Sequence, residues 1–305
     1  MVPEQADGAD PVPPKVGKVA VVAHQKKTLG GGLDELRRVI TGSGVDELLW
    51  YEVPKSKKAP KRARQAVDEG AELMFVWGGD GMVQRCVDAL AGTDVAVAIV
   101  PAGTANLLAS NLDIPKDIGE AVRIGLSGRR KKLDLGKLNG EHFAVMAGVG
   151  FDAAMIADAD RGLKDRMGKL AYTWTGLRHL RDAPVPMTIT VDGTSWFEGE
   201  AAVVLFGNVG TITGGIRAFE DARPDDGWLD VGVATPTGPM EWARTLVRMA
   251  AGHSDRSPFV RTTRAKKITV KLAEPLAYEL DGGDRGSDDH LKARIVPAAI
   301  TICVP

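Results

Sequence analysis

Residues 73–84 read Leu-Met-Phe-Val-Trp-Gly-Gly-Asp-Gly-Met-Val-Gln (LMFVWGGDGMVQ). The unbroken apolar run Leu73 to Trp77 is the pattern of a strand buried on both faces, as in a parallel sheet. Gly78, Gly79 and Gly81 then allow positive φ and let main-chain N–H groups approach an anion closely. A helix is predicted from Met82 to Ala91, so its positive N-terminus opens at the same point. Strand, glycine loop and helix together describe a phosphate site. Asp80 is the anomaly. A carboxylate there repels phosphate and calls for Mg²⁺ or a nearby lysine. Taken alone, the segment also reads as a plain strand-to-helix turn.

The flanking sequence repeats the unit. Strands are predicted at Lys18 to Ala23, Leu48 to Val53 and Val95 to Val100. Helices are predicted at Asp34 to Thr41, Ala59 to Gly70, Ala105 to Asn111 and Ile118 to Ser127. This alternation predicts a Rossmann-like α/β domain with its parallel sheet covered on both faces. The strand VAVAIV (95–100) runs into Pro101-Ala102-Gly103-Thr104-Ala105-Asn106. Thr104 could serve there as a simple helix cap. Two such loops would emerge together at the carboxyl edge of the sheet, where open α/β sheets bind ligands.

The pattern changes near Lys131, after which strands dominate. They are predicted at 132–138, 142–148, 185–191, 194–205, 228–235, 267–272, 278–280, 291–296 and 299–304, with turns at Asn139-Gly140 and Asp192-Gly193. Helical segments are predicted at Phe151 to Leu180 and Pro239 to Gly252. The expected division is a disordered tail (1–15), an α/β domain (16–131, rejoined by a returning strand 299–305), and a C-terminal β-sandwich domain with helical insertions (132–298).

Composition bounds the function. The 305 residues carry a formal net charge of -1, which argues against a nucleic-acid binder. Cys86 and Cys303 form neither a disulfide framework nor a zinc-ligand spacing, which fits a reducing cytosol. The acidic, proline-rich start reads as a tail and not a signal peptide. No apolar run is long enough to span a bilayer. Lys55, Lys57, Lys58, Lys61, Arg62 and Arg64 form one basic run, and Arg129 to Lys132 another. Each reads as a solvated face or as a contact for anionic lipid or phosphate. Trp174, Leu177 and Leu180, interleaved with Arg178 and Arg181, read as a lipid-facing or a core helix.

The ordered set of segments resembles the diacylglycerol kinase catalytic family, which includes bacterial lipid kinases and sphingosine kinases and is distantly related to NAD kinase. GGDG after one strand and PAGTANLLA after the next carry the resemblance. It continues through Gly148-Val149-Gly150-Phe151-Asp152, Ala218 to Val231 (AFEDARPDDGWLDV) and the closing stretch Leu280 to Pro305. It implies a peripherally membrane-associated, cytoplasmic kinase that uses ATP and Mg²⁺ to phosphorylate diacylglycerol or a related lipid alcohol; a homodimer is left open. By the resemblance, Gly78, Gly79, Asp80 and Gly81 sit at the nucleotide phosphates, with Gly103, Thr104, Asn106, Lys27 and Thr28 beside them. Asp80, Asp134, Asp281 and Asp284 are the catalytic candidates. Asp225, Asp226 and Asp230 read either as a polar turn or as a structural Mg²⁺ site.

The chain departs from the family pattern at several points. The threonine expected after GGDG is Met82, and Gln84 and Arg85 replace an asparagine and a glutamate. The family's N-terminal asparagine-proline loop reads His24-Gln25-Lys26-Lys27. The DGE motif reads Asp281-Gly282-Gly283, so the family's candidate general base is a glycine. Asp284 is the next carboxylate in sequence. Loss of a base costs on the order of 10²–10⁴ in rate. A catalytically impaired nucleotide- or lipid-binding member of the family is therefore the alternative expectation.

Overall fold

A computed structural model describes residues 17–150, 184–212, 216–250 and 257–305. The expected helix at Phe151 to Leu180, with its Trp174 to Arg181 face, and the tail lie outside these residues.

The chain begins β1 (Lys18–His24), α1 (Gly32–Gly42), β2 (Glu47–Val53), α2 (Ala59–Asp68), β3 (Leu73–Gly78), α3 (Asp80–Leu90), β4 (Ala96–Pro101), α4 (Leu107–Asn111) and α5 (Ile118–Ser127). The four strands lie parallel in the order β2-β1-β3-β4. Every residue of β3 and β4 is buried, as their continuous apolar runs require. On β3, Met74 and Val76 face α2 and α3, while Leu73, Phe75 and Trp77 face α1 and α5. The sheet is thus covered on both faces. On α2 the buried positions are Ala59, Ala63 and Ala66, so the helix packs close and turns Lys61, Arg62 and Arg64 to solvent. Asp117 caps α5 by accepting the Glu120 N–H at 2.8 Å.

The remainder is strand-rich: β5 (Arg129–Leu138), β6 (Glu141–Phe143), β7 (Met146–Val149), β8 (Val185–Val191), β9 (Thr194–Ala201), β10 (Val203–Gly207), β11 (Thr211–Ile212), β12 (Ile216–Arg217), β13 (Leu229–Ala234), the helix Pro239–Ala250, β14 (Val260–Ala265), β15 (Lys267–Leu280) and β16 (Gly283–Val304). β15 pairs with β16 on one side. On the other it forks, meeting β8 along Ile268 to Leu272 and β7 along Tyr278 to Leu280. The fork opens two layers around a second core that includes Phe143, Phe206, Ile189 and Leu291. The fold is therefore α/β with a C-terminal sandwich, as expected. β16 ends back in the first sheet, with Thr301 and Ile302 parallel to Ala96 and Val97 of β4.

Element boundaries differ where long-range pairing overrides local pattern. The strand expected over 142–148 is two, because Ala144 and Val145 turn their N–H groups onto Asp281. The strand expected over 194–205 is also two, since β9 pairs with β8 and β10 with β7 and β13. Conversely, two expected strands fuse into β15 and two into β16, with register shifts within each. The hairpin turns Asn139-Gly140 and Asp192-Gly193 have positive φ at both residues, as does Asp281-Gly282.

Candidate functional site

The glycine loop after β3 and the loop after β4 meet at the carboxyl edge of the sheet. The Ala102 N–H donates to Gly78 O at 2.9 Å. A Cβ on Gly103 would lie 2.3 Å from Gly79 Cα, so the two main chains touch and no side chain fits between them. Around Gly81, by contrast, the space is open. Met82 is 1% exposed and packs over Gly78, which explains why the residue after the loop is apolar: it belongs to the core.

Asp80 resolves its own anomaly. One carboxylate oxygen accepts the Asn106 N–H at 2.9 Å and the other accepts the Leu107 N–H. It therefore caps α4 from the other loop, a task the sequence offered to Thr104. Burial nevertheless pushes its pKa up against these hydrogen bonds, and Lys116 pulls it back. Lys116, a residue absent from the sequence-based candidates, also donates to the carbonyls of Thr104 at 2.8 Å and Gly103 at 3.3 Å. It is the nearby lysine that the carboxylate demanded. Asn106 adopts a left-handed conformation and spends its side chain on both the N–H and the C=O of Gly103. It shapes the loop. Thr104 is exposed.

The loop after β1 lies alongside. Lys27 O accepts the Trp77 indole N–H at 3.2 Å, and Thr28 is exposed next to it. Burial and the charges of Lys27 and Lys26 lower the His24 pKa. Lys26 and Lys27 thus bring positive charge to this edge of the sheet.

Asp281 comes from the second half of the chain. It sits at positive φ in the two-residue turn joining β15 to β16 and is buried. Its carboxylate accepts the N–H groups of Ala144 at 2.8 Å and of Val145 and Met146 at 2.9 Å each. Burial still raises its pKa to about 6, and the charge of Asp80 adds to the rise.

The five other candidate carboxylates make contacts of their own. Asp134 is buried with both oxygens consumed, one by Gly227 N–H and one by Ala298 N–H, each at 2.7 Å. It ties β5 to the turn before β13 and to the kink in β16, a structural task. Buried Asn208, missed in the sequence, joins it by donating to Asp134 O and Ala144 O at 2.9 Å each. Asp284 is exposed and accepts the Gly286 N–H at 2.8 Å. Strand alternation turns it away from the face of Gly283. Asp225, Asp226 and Asp230 are ion-paired: Asp225 to Lys131 at 2.9 Å, and Asp226 and Asp230 to Arg264. Among the described residues no three His, Cys, Asp or Glu side chains converge to hold a metal. The polar-turn reading of this trio is the one the geometry carries.

The base position is filled by something else. A Cβ on Gly283 would lie 2.6 Å from Arg285 Nη1. Arg285 donates from Nε and Nη2 to Glu141 at 2.7 and 2.6 Å, and from Nη2 to Gln84 Oε1 at 2.8 Å.

Comparison with known proteins agrees with this architecture. Residues 21–138 match the diacylglycerol kinase catalytic domain, and residues 144–304 match the YegS C-terminal NAD kinase beta sandwich-like domain. The chain is 30% identical over 247 residues to a diacylglycerol kinase of Mycobacterium tuberculosis, covering 79% of each protein. It is 30% identical over 294 residues to the "Probable lipid kinase YegS-like" protein of Pseudomonas aeruginosa, covering 94% of each. In fold it is similar to the crystal structure of a diacylglycerol kinase from Bacillus anthracis, with TM-score 0.72 and 23% identity over 96% of this chain and 98% of the other. An NAD kinase from Archaeoglobus fulgidus in complex with ATP shares the fold more distantly, with TM-score 0.52 and 12% identity over 94% and 93% of the chains. The glycine cradle, the C-terminal sandwich and these matches over both halves place the chain in the diacylglycerol kinase family of lipid kinases.

Proposed function

We propose that this chain is an ATP- and Mg²⁺-dependent kinase of diacylglycerol or a related lipid alcohol, working at a membrane surface from the cytoplasm. The observation that carries the reading is the Gly79–Gly103 cradle, held shut by Asp80. A nucleotide fits this geometry: main-chain groups of Gly78 to Gly81 and of Thr104, the N-terminus of α3, and Lys27 and Thr28 would hold the phosphates, with Gly103 keeping the space beside them free of a side chain. Mg²⁺ takes one or two carboxylates alongside phosphate oxygens, and Asp80 and Asp281 would offer it the lone pairs that their main-chain hydrogen bonds leave free. Mg·ATP, when bound, supplies the γ-phosphoryl group and neutralises its developing charge. The protein's share is positioning, which carries most of the catalysis in phosphoryl transfer. Asp80 fixes the loop-to-loop distance, Met82 keeps the loop dry from below, and Asp281 anchors its hairpin.

A lipid acceptor fits the surface beside the cradle. Lys55, Lys57, Lys58 and Lys61 are exposed after β2, and β2 pairs with β1 so that His24 lies opposite Val53. The basic run therefore borders the same sheet edge as Lys26 and Lys27. Among the described residues no helix is long and apolar enough to cross a membrane. Surface contact with anionic headgroups is the corresponding mode of access.

The catalytically impaired reading is favoured by one observation: a Cβ at position 283, where the family's glutamate would begin, would lie 2.6 Å from Arg285 Nη1. A radiolabelled-ATP assay over diacylglycerol and other lipid alcohols in mixed micelles separates the two. Transfer establishes the kinase and its acceptor. No transfer to any lipid, from folded protein that binds ATP, establishes the impaired member.

A further inference from the structure

The departures at Gly283 and Gln84 are one constellation. Arg285 stands on β16 just beyond the Asp281 turn, and Gln84 stands on α3 one turn beyond Asp80. All five guanidinium N–H donors of Arg285 are used. Besides its bonds to Glu141 and Gln84, Nη1 donates to the carbonyls of Gly283 at 2.9 Å and Asp284 at 3.2 Å. Gln84 Nε2 in turn donates to Glu141 at 3.1 Å and to His142 O at 2.7 Å. The Arg285 side chain is 11% exposed. With every donor spent, it is not built to grip a phosphate. It joins the same two elements that carry Asp80 and Asp281, and it does so in the volume that a side chain at 283 would need.

We propose that Arg285 is a positioning residue: through Glu141 and Gln84 it clamps the Asp281 hairpin onto α3, and Gly283 is its matched partner because a Cβ there would meet Arg285 Nη1 and force it to shift. The acceptor side of the cleft is then rebuilt around a clamp. Turnover rests on a fixed hairpin and not on a carboxylate at 283. The catalytic part of this proposal rests on the kinase reading above; the clamp itself does not.

The experiment compares wild type, Arg285→Lys, Arg285→Met and Gly283→Glu by two readouts. The first is amide hydrogen exchange at Ala144, Val145 and Met146, the donors to Asp281. The second is transfer from Mg·ATP to diacylglycerol in mixed micelles, with the ATP dissociation constant measured separately. In Arg285→Met, exchange at the three amides is expected to speed by about tenfold or more as local opening becomes easier. Its kcat is expected to fall by roughly tenfold to a hundredfold through misplacement, with ATP affinity within about threefold of wild type. Arg285→Lys recovers part of both. Gly283→Glu reproduces the Arg285→Met pattern and gains no activity. Wild-type exchange and kcat in Arg285→Met would overturn the proposal, and so would a gain of turnover in Gly283→Glu. Absence of wild-type transfer, with ATP still bound, would sink the kinase reading and the catalytic part; the exchange data would still decide the clamp.

Discussion

Gly79 and Gly103 lie main chain against main chain, with room for only 2.3 Å between Gly79 Cα and a Cβ built on Gly103. The two loops that end β3 and β4 thus form one surface, and Asp80 holds it together by bonding to the Asn106 and Leu107 N–H groups. Anything that separates the loops should be felt first as lost nucleotide affinity.

Gly103→Ala is the direct perturbation. The added methyl meets backbone, which cannot swing away as a side chain can. Overpacking of this kind costs about 1–3 kcal/mol. ATP affinity by calorimetric titration is expected to fall roughly in proportion, by about 5- to 150-fold, while the circular dichroism spectrum stays native. Unchanged affinity in a folded variant would move the nucleotide site elsewhere.

Asp80→Asn replaces an acceptor that takes an N–H on each oxygen by an amide with one acceptor and one donor end. A hydrogen bond to a charged group contributes about 1.5–3 kcal/mol. The loop should loosen, seen as faster exchange at Asn106 and Leu107, and Mg²⁺-dependent ATP affinity should be lost with the fold retained. Preservation of both binding and exchange would remove Asp80 from the site.

Asp281 gives a pH signature. Its folded pKa of about 6 lies above the ordinary 3.8, so the fold favours the neutral form. The stability associated with that preference is complete below about 3.8 and is lost as pH rises through about 6. The loss by pH 8 is on the order of 3 kcal/mol. Asp281→Asn cannot ionise. In metal-free buffer the denaturation midpoint of the wild type should therefore decline relative to Asp281→Asn between pH 4 and pH 8, and Mg²⁺ with ATP should narrow the gap. Parallel pH profiles for the two proteins would contradict the assignment.

Asp225→Asn tests the reading of the acidic turn. Its partner Lys131 leaves the pair on a half-buried surface, where such bridges contribute about 0–1 kcal/mol. The variant should lose no more than that, and the Mg²⁺ concentration needed for half-maximal turnover should not change. A marked rise in that concentration would restore the metal reading.

What could be read in the chain follows contact range. Leu73 to Trp77 is apolar at every position, and only a strand covered on both faces tolerates that, so the parallel sheet was legible locally. So were the glycine loops, since Gly79 and Gly103 sit where helices follow strands directly. The type of residue at Asn139-Gly140 and Asp192-Gly193 announced tight hairpins because both positions need positive φ. The roles of the polar side chains were not legible in the same way. Asp80 reads as a phosphate-site residue, yet its partners lie 26 and 27 positions away. Asp134 reads as a cleft residue, yet Gly227 and Ala298 consume it. Lys116 and Asn208 carry no local signal at all.

The sequence by itself therefore determined the layers, the carboxyl edge at which the two glycine loops meet, and the family. Hydrophobic periodicity and glycine placement act over a few residues and survive in one dimension. Only the tertiary structure decided which main-chain groups each carboxylate ties together, because a hydrogen-bonding partner is chosen by proximity in space. At position 283 the sequence showed a missing glutamate; the fold showed Arg285 in its volume, bonded to Glu141 from a strand more than a hundred residues earlier.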